Sequence, residues 1–92
     1  MRNITVKIGN QMRKDLELMA KRGRNLEKLD IIVQLLFIRK SLPLRYRDHP
    51  LKGNYKGYRD CHIEPDWLLI YRYTETELQL TRTGTHSDIF NN

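Results

Sequence analysis

YRDCHIEPDWLLIYRYTETELQLTRTG, residues 58–84, decides the fold. Tyr58 to Ile63 is rich in strand formers and breaks at Glu64-Pro65-Asp66, where proline ends one run and opens the next. Trp67 to Tyr73 follows as a second strand, turns near Thr74 to Thr76, and returns as Glu77 to Thr83. Gly84 closes the meander, and His86 to Phe90 reads as a short tail. Three consecutive strands joined by tight turns form an antiparallel sheet, which needs a layer on at least one face.

Upstream, Ile4, Val6 and Ile8 alternate around Thr5 and Lys7, the pattern of a short half-buried strand. Asn10 is placed to cap a helix, and Met12, Leu16, Met19 and Ala20 follow at helical spacing. Gly23 supplies the left-handed residue that commonly ends such a helix. Asn25 opens a second helix, expected to run to about Lys40, where Pro43 prevents continuation. Its Leu29, Ile31, Ile32, Val33, Leu35, Leu36 and Ile38 wrap more than one stripe, so it is expected to lie buried and central on the sheet. Residues 41–57 (SLPLRYRDHPLKGNYKG) show no period, and a structureless stretch of this length is functional or disordered. Tyr46, Leu51 and Tyr55 argue against disorder. The expected fold is α+β: a twisted antiparallel sheet of about four strands with two N-terminal helices packed on one face. Residues 1–92 form one domain.

Composition bounds the chemistry. A single cysteine, Cys61, excludes an internal disulfide, and no closely spaced His or Cys pair marks a metal site, so no cofactor is expected. Charges interrupt Met1 to Lys7, which does not read as a secretory leader. The tract Ile31 to Ile38 is too short to span a bilayer, so a soluble cytoplasmic protein is expected. Seventeen Lys and Arg against eleven Asp and Glu give +6. Residues 1–57 hold fourteen basic and five acidic groups, whereas residues 58–92 hold three and six. A basic surface of this size attracts phosphate polyanions, without saying which.

Candidate functional residues gather in the C-terminal half. The three histidines, His49, His62 and His86, lie beside charged or aromatic residues. Such a cluster can supply both base and acid near neutral pH, although three surface histidines without a shared role fit the spacing as well. Arg82 shares parity with Leu78 and Leu80, so strict alternation places a guanidinium on an apolar face. There it either snorkels out or meets a dedicated anion. Trp67, directly after a turn, is either a core anchor or a stacking face for a base. Tyr46, Tyr55 and Tyr58 interleave with Arg47, Lys52 and Lys56, as in single-strand binders.

Together, Asp48-His49-Pro50-Leu51-Lys52-Gly53, Tyr55-Lys56-Gly57-Tyr58-Arg59-Asp60, and His62 through Tyr71 resemble the YafQ toxins of the RelE/ParE superfamily. The ending Arg82-Thr83-Gly84-Thr85-His86-Ser87-Asp88-Ile89-Phe90 is similar to that family's closing motif. The resemblance covers nearly the whole chain and is strongest from residue 42 onward. It implies a ribosome-dependent messenger RNA endonuclease of RelE-like fold, held inactive by a cognate antitoxin, with no membrane partner and no DNA binding by the toxin alone. The functional positions it implies are His49, His62, Asp66, Trp67, Arg82, His86 and Phe90.

RNA carries its own nucleophile, the 2′-hydroxyl. The protein therefore needs a base for that hydroxyl, an acid for the departing 5′-oxygen and cationic support for the phosphorane. On residue type, His86 is expected as the acid and His49 or Asp66 as the base. Arg82, assisted by His62, is expected to support the charge. Trp67 and Phe90 would stack bases, while Arg47, Lys52, Tyr55 and Lys56 would bind the strand. Two alternatives share the sequence features: a non-catalytic RNA-binding module, and the gyrase-directed ParE-like branch of the superfamily. Neither needs proton transfer, which the histidine set supplies.

Overall fold

The computed structural model describes residues 3–90. Met1 and Arg2, on which part of the leader reading falls, lie outside them. Strand β1 (Thr5–Ile8) leads into helices α1 (Asn10–Lys21) and α2 (Leu26–Phe37). Strands β2 (His49–Pro50), β3 (Arg59–Glu64), β4 (Trp67–Tyr73) and β5 (Glu77–Gly84) follow, and a short helix α3 (His86–Phe90) closes the described chain. The sheet has five strands in the order β1-β5-β4-β3-β2. Strands β2 to β5 pair antiparallel, whereas β1 pairs parallel with β5, so the sheet is mixed rather than purely antiparallel. β1 and β5 are separated in the chain by both helices and by β2, β3 and β4, a connection long enough to bring two strands side by side in the same direction.

The helix ends follow local chemistry with one exception. Asn10 is the first helical residue, not the cap: Gly9 occupies that position and offers no side-chain bond. Gly23 adopts φ +80° behind the last turn of α1. The Asn25 side chain accepts from the Glu27 N–H at 3.1 Å and caps α2. Helix α2 ends at Phe37, three residues before the expected end, with Arg39 in the left-handed region.

Strand β4 is buried on both faces, as its unbroken apolar run requires. Trp67, Leu69 and Tyr71 point beneath the two N-terminal helices, into a core with Met12, Met19, Leu29, Ile32 and Leu36. Leu68 and Ile70 point the other way and pack with Ile89 of α3, Leu51, Tyr55, Tyr58 and Phe90. Helix α2 buries only its Leu29, Ile32 and Leu36 stripe; Ile31, Phe37 and Ile38 are exposed, so its central burial is not observed. Similarly β1 is mostly exposed, with Val6 39% accessible, because it lies at the sheet edge.

The aperiodic stretch 41–57 is ordered by specific bonds. It holds two single-turn 3₁₀ segments, Leu44–Tyr46 and Gly53–Tyr55, around the two-residue strand β2. Asp48 accepts from Tyr71 Oη at 2.8 Å and Arg59 Nε at 3.1 Å, and the Leu51 N–H donates to the Tyr58 carbonyl at 2.9 Å. Tyr71, buried and bonded to Asp48, has its phenol pushed far above its usual pKa. These contacts bring His49 to the sheet edge.

Candidate active site

Register decides which side chains share a face. His62 pairs across with Leu68, which pairs with Gly84; Asp60 pairs with Ile70, which pairs with Arg82. His49 pairs with Asp60. All of these therefore belong to the face away from α1 and α2. Arg82 joins them through a bulge: Tyr71 pairs with Leu80 while Ile70 pairs with Arg82, leaving Thr81 unmatched. The extra residue inverts parity, so Arg82 leaves the apolar face that Leu78 and Leu80 occupy.

The three imidazoles stand in a row. Ring centroids lie 6.3 Å apart between His49 and His62, and 5.6 Å apart between His62 and His86. The row continues into aromatics, with His86 and Phe90 at 6.5 Å and Tyr55 edge-on to Phe90 and Tyr58, each at 5.9 Å. Lys52, Asn54, Tyr55, Ile89 and Phe90 line an open depression of about 550 Å³ at this end. His62, in the middle of the row, also forms part of a groove of about 400 Å³ that holds Arg45, Tyr46, Arg47 and Lys28. Arg47, Lys52 and Lys56 are exposed on the segment that carries His49 and Tyr55.

Each outer histidine is oriented through Nδ1. The His49 Nδ1 lies 2.7 Å from the Arg47 carbonyl, which can only accept, so Nδ1 carries the hydrogen and Nε2 holds the lone pair of the neutral ring. Arg47 is left-handed (φ +49°) at the end of a 3₁₀ turn, two residues before the ring it holds. The His86 Nδ1 lies 2.6 Å from Asp66 Oδ1, which also accepts the His86 backbone N–H at 2.9 Å. These two bonds from His86, backbone first, hold the exposed Asp66 carboxyl below its usual pKa. The short tail His86 to Phe90 is helical, and as α3 it presents His86 and Phe90. Asp88 Oδ2 caps the helix by accepting the Thr85 N–H at 2.9 Å, and Arg22, directly after α1, donates to both Asp88 oxygens at 2.6 and 3.1 Å. A side chain at Gly84 would meet Asp88 Cβ at 2.9 Å, so only glycine admits this close turn.

At two positions the structure decides between alternatives that the sequence left open. Trp67 is fully buried on the helix-covered face and donates from Nε1 to Thr83 Oγ1 at 2.9 Å; it is a core anchor and presents no surface to a base. Arg82 meets a dedicated anion, Asp15 of α1, with Nε at 2.8 Å and Nη2 at 3.3 Å. Strand β1 ends opposite Leu80, and in the edge it leaves open Asp15 also accepts the Thr83 N–H at 3.1 Å. Hydrogen bonding, to Asp15 first and then Tyr55, raises the Arg82 pKa further. Sequence reasoning missed Asp15, which no local pattern couples to a residue 67 positions away. It also missed Asp60, although Asp60 shares the parity of His62 and could have been found from it. Among the described residues no group of three His, Cys, Asp or Glu is disposed to hold a metal ion.

A family model described as "Bacterial toxin of type II toxin-antitoxin system, YafQ" matches residues 4–91. The chain belongs to this family. It is similar to the mRNA interferase toxin YafQ of Escherichia coli K12, at 47% identity over 87 residues, 92% of this chain and 94% of that one. The YafQ fold recurs in the crystal structure of the E. coli DinJ-YafQ toxin-antitoxin complex, with TM-score 0.89 and 44% identity over 96% of this chain and 98% of that chain. A metal-bound toxin from Helicobacter pylori matches with TM-score 0.88 and 39% identity over 95% of this chain and 99% of its own. The match to YafQ structures extends over the mixed sheet and its helices. Among the described residues no helix is long and apolar enough to cross a membrane.

Proposed function

We propose that the chain is an mRNA interferase that cuts message on the ribosome by metal-independent acid/base catalysis, with the RNA 2′-hydroxyl as nucleophile. The observation that carries this reading is the row of three imidazoles, with both outer rings oriented through Nδ1. His49, whose neutral Nε2 holds a lone pair, takes the 2′-hydroxyl proton. His86 gives a proton to the departing 5′-oxygen. His62 stands between them, where the phosphate must lie, and Arg82 adds positive charge from the same face. Asp66 serves as the orienting partner of His86 rather than as the base, because its accepting oxygen is engaged there and its basicity is lowered. Phe90 and Tyr55 receive bases in the depression beside His86, and Lys52, Lys56 and Arg47 hold phosphates along the strand.

So small a site has few groups with which to read or bend a strand. The ribosome supplies a fixed message geometry, which removes entropy from the barrier. A cognate antitoxin, as the E. coli relative has in DinJ, restrains the activity, and the +6 charge favours an acidic one.

The test is cleavage of message on translating ribosomes, with product ends mapped and EDTA added once the ribosome's magnesium is controlled for. The expected products carry a 5′-hydroxyl on one side and a 2′,3′-cyclic or 3′-phosphate on the other. A deoxyribose 5′ of the cut should block the reaction. Efficient cutting of that substrate, or loss of activity with the chelator alone, overturns the mechanism; equal rates on naked RNA overturn the ribosome requirement.

A further inference from the structure

Behind the histidine row stands a carboxylate that the reaction as written does not use. Asp60, on β3, is 3% exposed. Its Oδ1 is the one buried side-chain oxygen or nitrogen among the described residues with no hydrogen-bond partner. That atom lies 3.2 Å from His49 Nδ1 and 4.0 Å from His62 Nε2. The placement is fixed twice by the backbone: Asp60 is the cross-strand partner of His49, and it precedes His62 by two residues on the same face. Buried polar atoms in native folds are nearly always paired, and this carboxylate oxygen, with no hydrogen bond of its own, is placed to pair with an imidazolium at His49 or His62. Burial pushes the Asp60 carboxyl up, and the fields of His49, His62 and His86 oppose that rise.

We propose that Asp60 is the positioning residue of the base side of the site: with the Arg47 carbonyl it fixes the His49 ring, and it supplies the countercharge when that ring becomes an imidazolium. The proposal rests on the reading of His49 as the base. In the step itself, the 2′-hydroxyl proton passes to His49 Nε2 while O2′ bonds to phosphorus. The P–O5′ bond breaks, and the leaving oxygen takes its proton from His86. Asp60 remains a carboxylate and transfers no proton. The two outer histidines thus each have an aspartate at Nδ1, Asp60 buried behind the base and Asp66 exposed behind the acid. A buried carboxylate that stabilises the imidazolium formed in the reaction is an established way to strengthen a histidine base.

The experiment is single-turnover cleavage of ribosome-bound message in two forms, one ordinary and one with sulfur replacing the 5′-bridging oxygen at the cut. A thiolate leaves without protonation, so the second substrate removes the need for the acid. Asp60→Asn should slow the ordinary message about 10²-fold at saturation with KM unchanged. The sulfur substrate should restore His86→Ala but leave Asp60→Asn and His49→Ala slow. The double variant Asp60→Asn/His49→Ala should be no slower than His49→Ala, because one residue acts through the other. Restoration of Asp60→Asn by sulfur, additive losses in the double variant, or full activity of Asp60→Asn overturns the role of Asp60. His49→Ala at the wild-type rate instead removes the base assignment itself, so the two failures are distinguishable. Should Asp60→Asn not fold, imidazole ¹⁵N shifts of the unaltered chain decide: hydrogen on His49 Nδ1 is expected, and hydrogen on Nε2 in the neutral ring overturns the proposal.

Discussion

Arg82 shows what alternation can and cannot tell. Its parity with Leu78 and Leu80 put a guanidinium where an apolar side chain belongs, and that misfit correctly marked an unusual residue. The resolution needed two facts that no window of sequence contains: the unmatched Thr81, which inverts parity, and Asp15, which waits at the open edge of β5. Trp67 misled in the other direction, since a turn-adjacent tryptophan looks the same whether it anchors a core or stacks on a base. Its complete burial beneath the helices, with its bond to Thr83, separates the two. Asp15 is 5% exposed and holds Arg82, the Thr83 N–H and Gln11 Nε2 at once. Removing one partner of a buried pair leaves the other uncompensated. Asp15→Ala should therefore destabilise the fold by about 3 kcal/mol and Asp15→Asn, which keeps an acceptor, by about 1. Urea unfolding gives both values; equal midpoints for the two variants would falsify this account of the Arg82 anchor.

At the scale of elements, the meander and the two N-terminal helices were legible because their signals are local: turn residues, caps and period. What failed depended on neighbours. Helix α2 carries apolar residues on several sides yet buries one stripe, since only one layer lies against it. Strand β2 is two residues long and owes its existence to β3, so it left no periodicity to read. Helix α3 is five residues long, too short for a helical period. It is held from outside itself by Ile89 against Leu68 and Ile70, and by the bidentate Arg22–Asp88 pair. That pair, first among its causes, depresses the Asp88 carboxyl far below its usual pKa. A depressed folded-state value contributes stability that is present above the unfolded pKa, near 4 (about 3.9), and is lost as pH falls through the folded one. Arg22→Ala should thus lower Tm by a few degrees at neutral pH, with the gap to wild type closing below about pH 4. Because α3 presents His86, the variant should also cleave more slowly at neutral pH. A Tm gap that stays constant down to pH 2 would show that Arg22 acts through packing and not through its charge.

Across the whole molecule, charge and chemistry are divided along the chain and then reunited by folding. The basic N-terminal 57 residues hold fourteen of the seventeen cations, yet of the three imidazoles they contribute only His49. The pairing of β2 with β3 brings the basic segment that carries Arg47, Lys52 and Lys56 against the histidine strand, and His49 joins a row completed by His62 and His86. In a site built this way, binding and chemistry rest on different residues and should separate in kinetics. Each phosphate neutralised releases counterions, and log affinity falls with log salt by about 0.7 per contact on a single strand. Lys52 and Lys56 are exposed and sit outside the hydrogen-bonded His–Asp pairs, so Lys52→Ala/Lys56→Ala should leave the saturated cleavage rate near wild type. It should raise KM, and it should reduce the slope of log KM against log salt by about 1.4, most strongly in dilute buffer. His86→Ala should do the reverse, losing the saturated rate by about 10²-fold or more while keeping both KM and its salt slope. If the lysine variant instead lost saturated rate with its salt slope intact, the lysines would belong to the chemistry rather than to the approach of the strand.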